Sequence, residues 1–334
     1  MKKLAYSLLP LGITFGLCLN IAPASAASFI VREVIPDAAL SIDGFGSASN
    51  NGVIQANIPT GSTIKRAYLY AASVWNMSPV YEVTFNGTTL PLSSAITLSP
   101  NNNPATTVVW DVTSIIASSF TGGSQNFSIV ENGQNDGAVL VVAYSNLSTQ
   151  GFTSVILDGE LSTGGDTVEF NFAPYTSGDF LVSLASSYSM QPSGQFTQID
   201  VTTNSTNNRR LTSSAGGQDD GVFGNGALIT VGGIGDDPAN PGPFDSPENG
   251  PRIDDEYYNL ALGNSDNTDP FISPGDTFIR LTTKNPSNDD NVFGLFITSG
   301  FKITATPVPE PSMTLGIFGI GAIGILLSRR GKKS

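Results

Sequence analysis

The chain has 334 residues, of which 36 are Gly and 21 are Pro, with 40% apolar and only 13% charged. It contains no His and a single Cys, Cys18, which excludes a Ser-His-Asp triad, zinc sites built on His or Cys, and internal disulfides. With 28 acidic against 15 basic residues the formal charge is −13, so nucleic-acid binding, which needs a basic footprint, is excluded as well.

Residues 1–26 read as a secretory signal. Lys2 and Lys3 form the charged start, Leu8 to Ile21 form the apolar stretch, and Ala24-Ser25-Ala26 offers small residues to signal peptidase, with Ala24 and Ala26 at the recognition positions. Cleavage before Ala27 removes Cys18.

Strand signals then dominate. Ile64 to Trp75 is rich in Tyr, Ala and Val. Tyr81 to Phe85 alternates and runs into Asn86-Gly87, a strong hairpin signal, with Thr88 to Leu92 as the returning strand. Further extended runs are Thr106 to Trp110, Asn126 to Val130, Ala138 to Ser145, Ser154 to Leu157, Thr167 to Phe172, Phe180 to Tyr188 and Phe196 to Val201. Ala227 to Val231, Thr277 to Thr283 and Val292 to Thr304 complete the series. Two short helices are expected. One is capped by Asp111 and runs to Ala117; the other is Tyr257 to Leu262, with Asp254-Asp255-Glu256 at its positive end. Strands spaced by Gly, Asn, Asp and Pro predict an all-β fold, a sandwich or jelly roll of antiparallel sheets with long loops. The body spans 27–305. Its stretch 203–274, poor in apolar runs, reads as a long irregular insertion, with a second small domain as the alternative.

The tail carries Pro307-Val308-Pro309-Glu310-Pro311, then Met313 to Leu327, then Arg329, Arg330, Lys332 and Lys333. The apolar stretch is short for a membrane helix, which usually needs about 17–25 residues, but the flanking cations favour a cytoplasmic C-terminus. Pro309-Glu310-Pro311, a short span and the Arg329-Arg330 end resemble, in that order, the PEP-CTERM sorting signal of Gram-negative bacteria, over residues 306–334. The resemblance implies recognition by an exosortase-type membrane protease, transient anchoring in the inner membrane, and transfer to the cell surface or extracellular matrix, often alongside exopolysaccharide. The body also resembles secreted β domains that carry this tail, through Ile42-Asp43-Gly44-Phe45-Gly46, Arg66 to Tyr70 and Asn288 to Asn291. Without Lys2, Lys3, Glu310 and the four tail cations, the body holds 9 basic and 27 acidic residues, a formal charge of −18. Such a body suits cation binding or solubility outside the cell.

Three constellations could carry function. The first is acidic: Asp266, Asp269, Asp289 and Asp290 flank the last hairpin and are the best candidates for a Ca²⁺ site, since hard cations take carboxylate, amide and carbonyl oxygens. The loop at 264–269 departs from the EF-hand pattern, and ordinary turn chemistry is the competing reading. The second is aromatic: Trp75, Tyr257 and Tyr258 sit at predicted element ends and are candidates for stacking on sugars. Tyr70, Tyr81, Trp110, Tyr144 and Tyr188 are further aromatics with core packing as the alternative. The third is a set of carboxylates, Glu82, Glu131, Glu160, Glu169, Glu248 and Glu256, in which no pair is marked as an acid and base. Arg209-Arg210 suits an acidic sugar or a solvated loop. These features point to a non-catalytic surface or matrix protein associated with exopolysaccharide or adhesion. A carboxylate-dependent polysaccharide hydrolase and a subunit that self-assembles through strand edges are the alternatives.

Overall fold

The computed structural model describes residues 29–46, 49–74, 80–98, 106–133, 135–161, 164–187, 197–215, 228–238, 240, 256–286 and 291–307. The signal segment with Ala24 and Ala26, and the tail with Pro309, Glu310, Pro311, Arg329 and Arg330, lie outside these residues. Among the described residues no helix is long and apolar enough to cross a membrane.

The chain opens with β1 (Ile30–Pro36) and then builds β2 (Ala39–Phe45), β3 (Asn51–Ile58), β4 (Thr63–Ser73), β5 (Val83–Phe85), β6 (Thr88–Leu90), β7 (Ile96–Thr97) and β8 (Thr107–Asp111). A short helix, α1 (Thr113–Ser119), leads into β9 (Gly123–Glu131) and β10 (Asn135–Ser145). The second half adds β11 (Thr153–Asp158), β12 (Asp166–Asn171), β13 (Phe180–Ser187), β14 (Thr197–Thr203), β15 (Arg209–Ala215) and β16 (Ile229–Val231). It ends with β17 (Tyr257–Asn259), β18 (Phe278–Lys284), β19 (Asn291–Ser299) and β20 (Thr304–Pro307).

These strands form four antiparallel sheets, so the all-β expectation holds. An outer sheet β3-β9-β5-β6 packs on an inner sheet β2-β10-β4-β8-β7; a second inner sheet β1-β11-β19-β13-β16 packs on an outer sheet β15-β14-β18-β12-β20. The two inner sheets meet face to face across a third core. Side-chain alternation within single strands proves the layering. On β10, Ala138, Leu140 and Val142 enter the N-terminal sandwich core, whereas Val139, Val141 and Ala143 enter the seam between the inner sheets. On β11, Val155 and Leu157 face the C-terminal core and Ile156 faces the seam. Strands buried on both faces need apolar residues at every position, which is why 138–143 is an unbroken apolar run.

The first strand crosses over. β1 pairs with β11 of the C-terminal sandwich, Ile30 opposite Asp158, before the chain passes to β2 in the other half. The Asn86-Gly87 hairpin forms as expected, with φ of 47° and 76°, the pair of positive values a type I′ turn requires. Asp111 accepts the Thr113 N–H at 2.9 Å and so supports the start of α1, although Val112 occupies the cap position. The second expected helix is absent. Tyr257–Asn259 forms β17, paired to β13, because the β13 edge offers a ladder and Tyr258 a buried position that a surface helix would forfeit.

Polar ties hold the layers in register. The Tyr70 hydroxyl, on β4, donates to the Asp158 carboxylate at 2.8 Å, and Arg32 closes on the same carboxylate through Nε and, at 3.0 Å, through Nη2. Asp158 is fully buried. Burial opposes the Arg32 charge, but the hydrogen bond and charge of Asp158 raise its pKa overall, so the guanidinium stays ionised. Burial and the Asp158 charge hold the Tyr70 phenol well above its ordinary range, which keeps it a donor. Beside this network Thr107 N donates to Glu160 at 2.7 Å, and the Asn291 amide donates to the Thr107 hydroxyl at 2.9 Å. At the other corner, Ser41 and Asp43 on β2 accept the N–H groups of Asn57 and Gln55, which closes an edge of the outer sheet.

Two measurements test these ties. Tyr70→Phe strips one donor from a buried carboxylate and should cost about 1–3 kcal/mol in urea unfolding; a change within error would show that the hydroxyl bond contributes nothing. Burial pushes Asp43 from 3.8 up to about 7, against the Gln55 and Gly44 hydrogen bonds that lower it. The folded form therefore binds its proton more tightly than the unfolded form. The stability this group adds is complete below the unfolded pKa and is lost as pH rises from about 4 to about 7. Asp43→Asn should thus melt a few degrees above wild type at pH 8, with the gap closing towards pH 4; an equal gap at both pH values contradicts the assignment.

Candidate functional site

A cavity opens at the rim of the seam, and strand pairing dictates its position. β16 and β17 share one edge of β13, end to end: Ala185 lies opposite Val231, and Ser183 opposite Tyr257. After β16 the chain makes a tight turn, Gly232-Gly233-Ile234-Gly235-Asp236. Its N–H and C=O groups are all spoken for at the start: Gly232 N donates to Leu184 O at 3.3 Å, and Gly232 O accepts the Ser183 hydroxyl at 2.5 Å. The Asp236 carboxylate accepts the Gly233 N–H and closes the turn. Ile234 N then donates to Ile42 O on β2 at 2.9 Å, so the turn bridges the two inner sheets. Gly233 is required here, because a Cβ would stand 2.2 Å from Ile42 O.

The turn, β2 and the β13–β17 edge enclose about 300 Å³. Leu40, Ile42, Leu181 and Phe296 supply apolar surface, and Asn57, Asp236, Thr298 and Tyr257 supply polar groups. The Tyr257 phenol is pushed up to about 12, by burial first and then by the charge of Asp236, with smaller effects from Tyr144 and Asp179. It is a neutral phenol at neutral pH, with an apolar ring and a hydrogen-bonding tip in one side chain. The space is of the size that holds a small ligand or one sugar ring.

Of the two stacking candidates among the described residues, Tyr257 lines this cavity and Tyr258 does not. Tyr258 is 0% exposed and sits in the C-terminal core, so its ring presents no face to solvent. Trp75 lies outside the described residues. Tyr70 and Trp110 are buried, and Trp110 Nε1 donates to Pro91 O at 3.1 Å.

Asp266 and Asp269 lie in an exposed turn, 264–269, organised from within by asparagines. Asn264 Oδ1 accepts the Asn267 N–H at 3.0 Å, and Asn267 Oδ1 accepts the Asp269 N–H at 2.9 Å. Arg209 fills the next position. Its guanidinium donates to the carbonyl oxygens of Asn267 and Asp269, both at 2.6 Å, and lies 3.9 Å from the centre of the Phe271 ring. Two carbonyl oxygens of that turn are therefore taken by an arginine. Asp289 and Asp290 lie outside the described residues. Arg210 pairs with Asp200 at 2.5 Å, so both arginines of the basic pair are engaged within the fold.

Among the carboxylates, Glu169 pairs with Arg280 at 2.6 Å and Glu82 is exposed, while Glu131, Glu160 and Glu256 are buried. Glu248 lies outside the described residues. Sequence reasoning missed the turn-closing role of Asp236 and the Arg32–Asp158–Tyr70 network. The available signal was the ionisable residues inside apolar strands, Arg32 in Ile30–Pro36 and Asp158 at the end of Thr153–Asp158.

Two family patterns match the chain. Residues 40–238, more than half of it, match the family described as "Protein of unknown function (DUF3344)", and residues 307–330 match the PEP-CTERM protein-sorting motif. The chain belongs to the DUF3344 family. Its tail is a PEP-CTERM signal, which implies export, processing by an exosortase and sorting to the cell surface. No curated protein matches the sequence. One solved structure similar to part of it is the major capsid protein P2 from Bacteriophage PM2, at 11% identity, covering 82% of this chain and 99% of that one with a TM-score of 0.19. A TM-score that low supports no conclusion on fold or role.

Proposed function

We propose that this DUF3344 protein is a non-catalytic surface or matrix protein, and that it binds exopolysaccharide through the cavity at the rim of the seam. The observation that carries the reading is Tyr257. It places a neutral, half-buried aromatic ring within reach of the Asp236 charge, in a cavity of about 300 Å³ that Asn57, Thr298 and apolar residues also line. A pyranose has the complementary faces: C–H groups stack on an aromatic ring while hydroxyls bond to carboxylate and amide oxygens. The sorting tail supports the setting, since it delivers the body to the surface where such polymers lie. The sequence supports the non-catalytic part, because it contains no His and its single Cys lies in the leader. Signal peptidase at Ala26 and the exosortase at the Pro309-Glu310-Pro311 segment are the processing partners in this reading.

Retention of the exported chain on immobilised exopolysaccharide from the producing cell tests the proposal. Wild type should be retained, and Tyr257→Ala should weaken retention about tenfold, the loss of roughly 1.4 kcal/mol expected for one stacking contact. Tyr257 forms a short edge strand, so circular dichroism of the variant should remain that of wild type. Failure of the wild-type chain to bind any fraction of the polymer, or equal retention of the folded variant, would sink the site.

A further inference from the structure

The cavity at Tyr257 has a one-sided charge. Among the described residues that line it, Asp236 is the only carboxylate, and there is no Lys or Arg. The groups whose charge reaches the Tyr257 phenol are Asp236 first, then Tyr144 and Asp179, and each of them raises its pKa. A neighbouring cation acts in the opposite direction, as Arg32 does at Tyr70 and Arg66 does at Tyr68. Asp179 is fixed close by. Its Oδ1 accepts the side-chain amide of Asn259 at 2.8 Å, and Asn259 lies two residues along β17 from Tyr257, on the same face.

The arginines among the described residues are committed elsewhere. Arg32, Arg66, Arg210 and Arg280 pair with Asp158, Glu33, Asp200 and Glu169, and Arg209 is held on the carbonyl oxygens of Asn267 and Asp269. Lys65 lines a different recess, with Asp37 and Asn146. The chain leaves the cavity at Asp236 and returns to it at Tyr257, and the sequence from 236 to 256 holds seven acids and one Arg.

An anionic sugar entering this space gives up hydration, meets negative charge and finds no cation to pair with its carboxylate. An ammonium group finds the Asp236 carboxylate, and charge-assisted hydrogen bonds are the strong ones. Asp236 can serve the ligand while it holds the Gly233 N–H, because an ionised carboxylate accepts more than one donor. We propose, resting on the glycan reading above, that this cavity takes polysaccharide residues that carry a free amine, namely deacetylated hexosamines, and rejects uronic acids. Tyr257 is the platform under the ring, and Asp236 is the group that selects the charge.

Calorimetric titration of the full exported chain at about pH 6, where the amine is protonated, provides the test. Three disaccharides serve as probes: the chitosan disaccharide with free amines, its N-acetylated chitin counterpart, and digalacturonate. The chitosan disaccharide should bind about tenfold more tightly than the acetylated one, the gain expected of one charged hydrogen bond, and digalacturonate should give no heat. The preference should shrink in about 0.5 M sodium chloride, where charges are screened within a few ångströms. Asp236→Asn keeps an acceptor for the Gly233 N–H and removes the charge, so it should bind the free and acetylated disaccharides equally. Tyr257→Ala should lose both, and it locates the binding should Asp236→Asn fail to fold.

Equal binding of the two disaccharides by wild type, binding of digalacturonate, or a preference for the free amine that survives in folded Asp236→Asn overturns the charge selection. Retention of the producer's polymer, lost in Tyr257→Ala, then leaves the glycan site standing without it. Wild type that holds neither the disaccharides nor the polymer removes both.

Discussion

Face-to-face burial of two sheets that are already buried on their other faces is the constraint on which the architecture depends. A sheet of that kind has no solvent side, so every residue of its central strands must be apolar or fully paired. β10 and β11 satisfy this with unbroken runs of Ala, Val, Leu and Ile. Apolar faces alone permit sliding, because dispersion and water exclusion have little directional preference. The fully buried Asp158, held by Arg32 from its own sheet and by Tyr70 from the facing sheet, fixes one register. Its contribution is specificity more than net stability, since desolvating both charges offsets much of their attraction. The cavity at the rim exists because the Gly232–Asp236 turn must cross the seam from β16 to β2, and it crosses where Ile42 O is free to accept Ile234 N.

The physical reasons why parts of the fold were legible follow from this layering. Outer strands alternate cleanly, as in Phe278–Lys284, where Ile279, Leu281 and Thr283 are the buried positions. The Asn86-Gly87 hairpin was legible because few residues other than Asn and Gly tolerate two successive positive φ values. Pairings between distant segments were not. Nothing local in Ile30–Pro36 announces β11 as its partner, because pairing is settled by the faces available after the halves dock. Tyr257–Leu262 misled for a local reason: three acids ahead of an apolar run imitate a helix start, and the vacant edge of β13 outweighed that preference.

The site was half legible for the same reason. Tyr257 and Tyr258 look alike in sequence, yet neighbours on a strand face opposite sides. Pairing with β13 sends Tyr258 into the C-terminal core and leaves Tyr257 at the seam. The acid-rich loop with Asp266 and Asp269 was legible as a turn, and the structure shows asparagines and Arg209 organising it. The acids with unusual surroundings, Glu131 and Asp136, stand in runs that read as ordinary strand and turn. Burial of that kind appears only after the sheets are stacked.

Native-state hydrogen exchange followed by mass spectrometry tests the central claim, that the seam joins the two sandwiches into one cooperative body. The account predicts that backbone amides of β10 and β19, on opposite sides of the seam, exchange only through the same global opening, with equal free energies and equal dependence on urea. Exchange of β10 and β19 through separate openings of different free energy, one sandwich unfolding while the other stays protected, would contradict it.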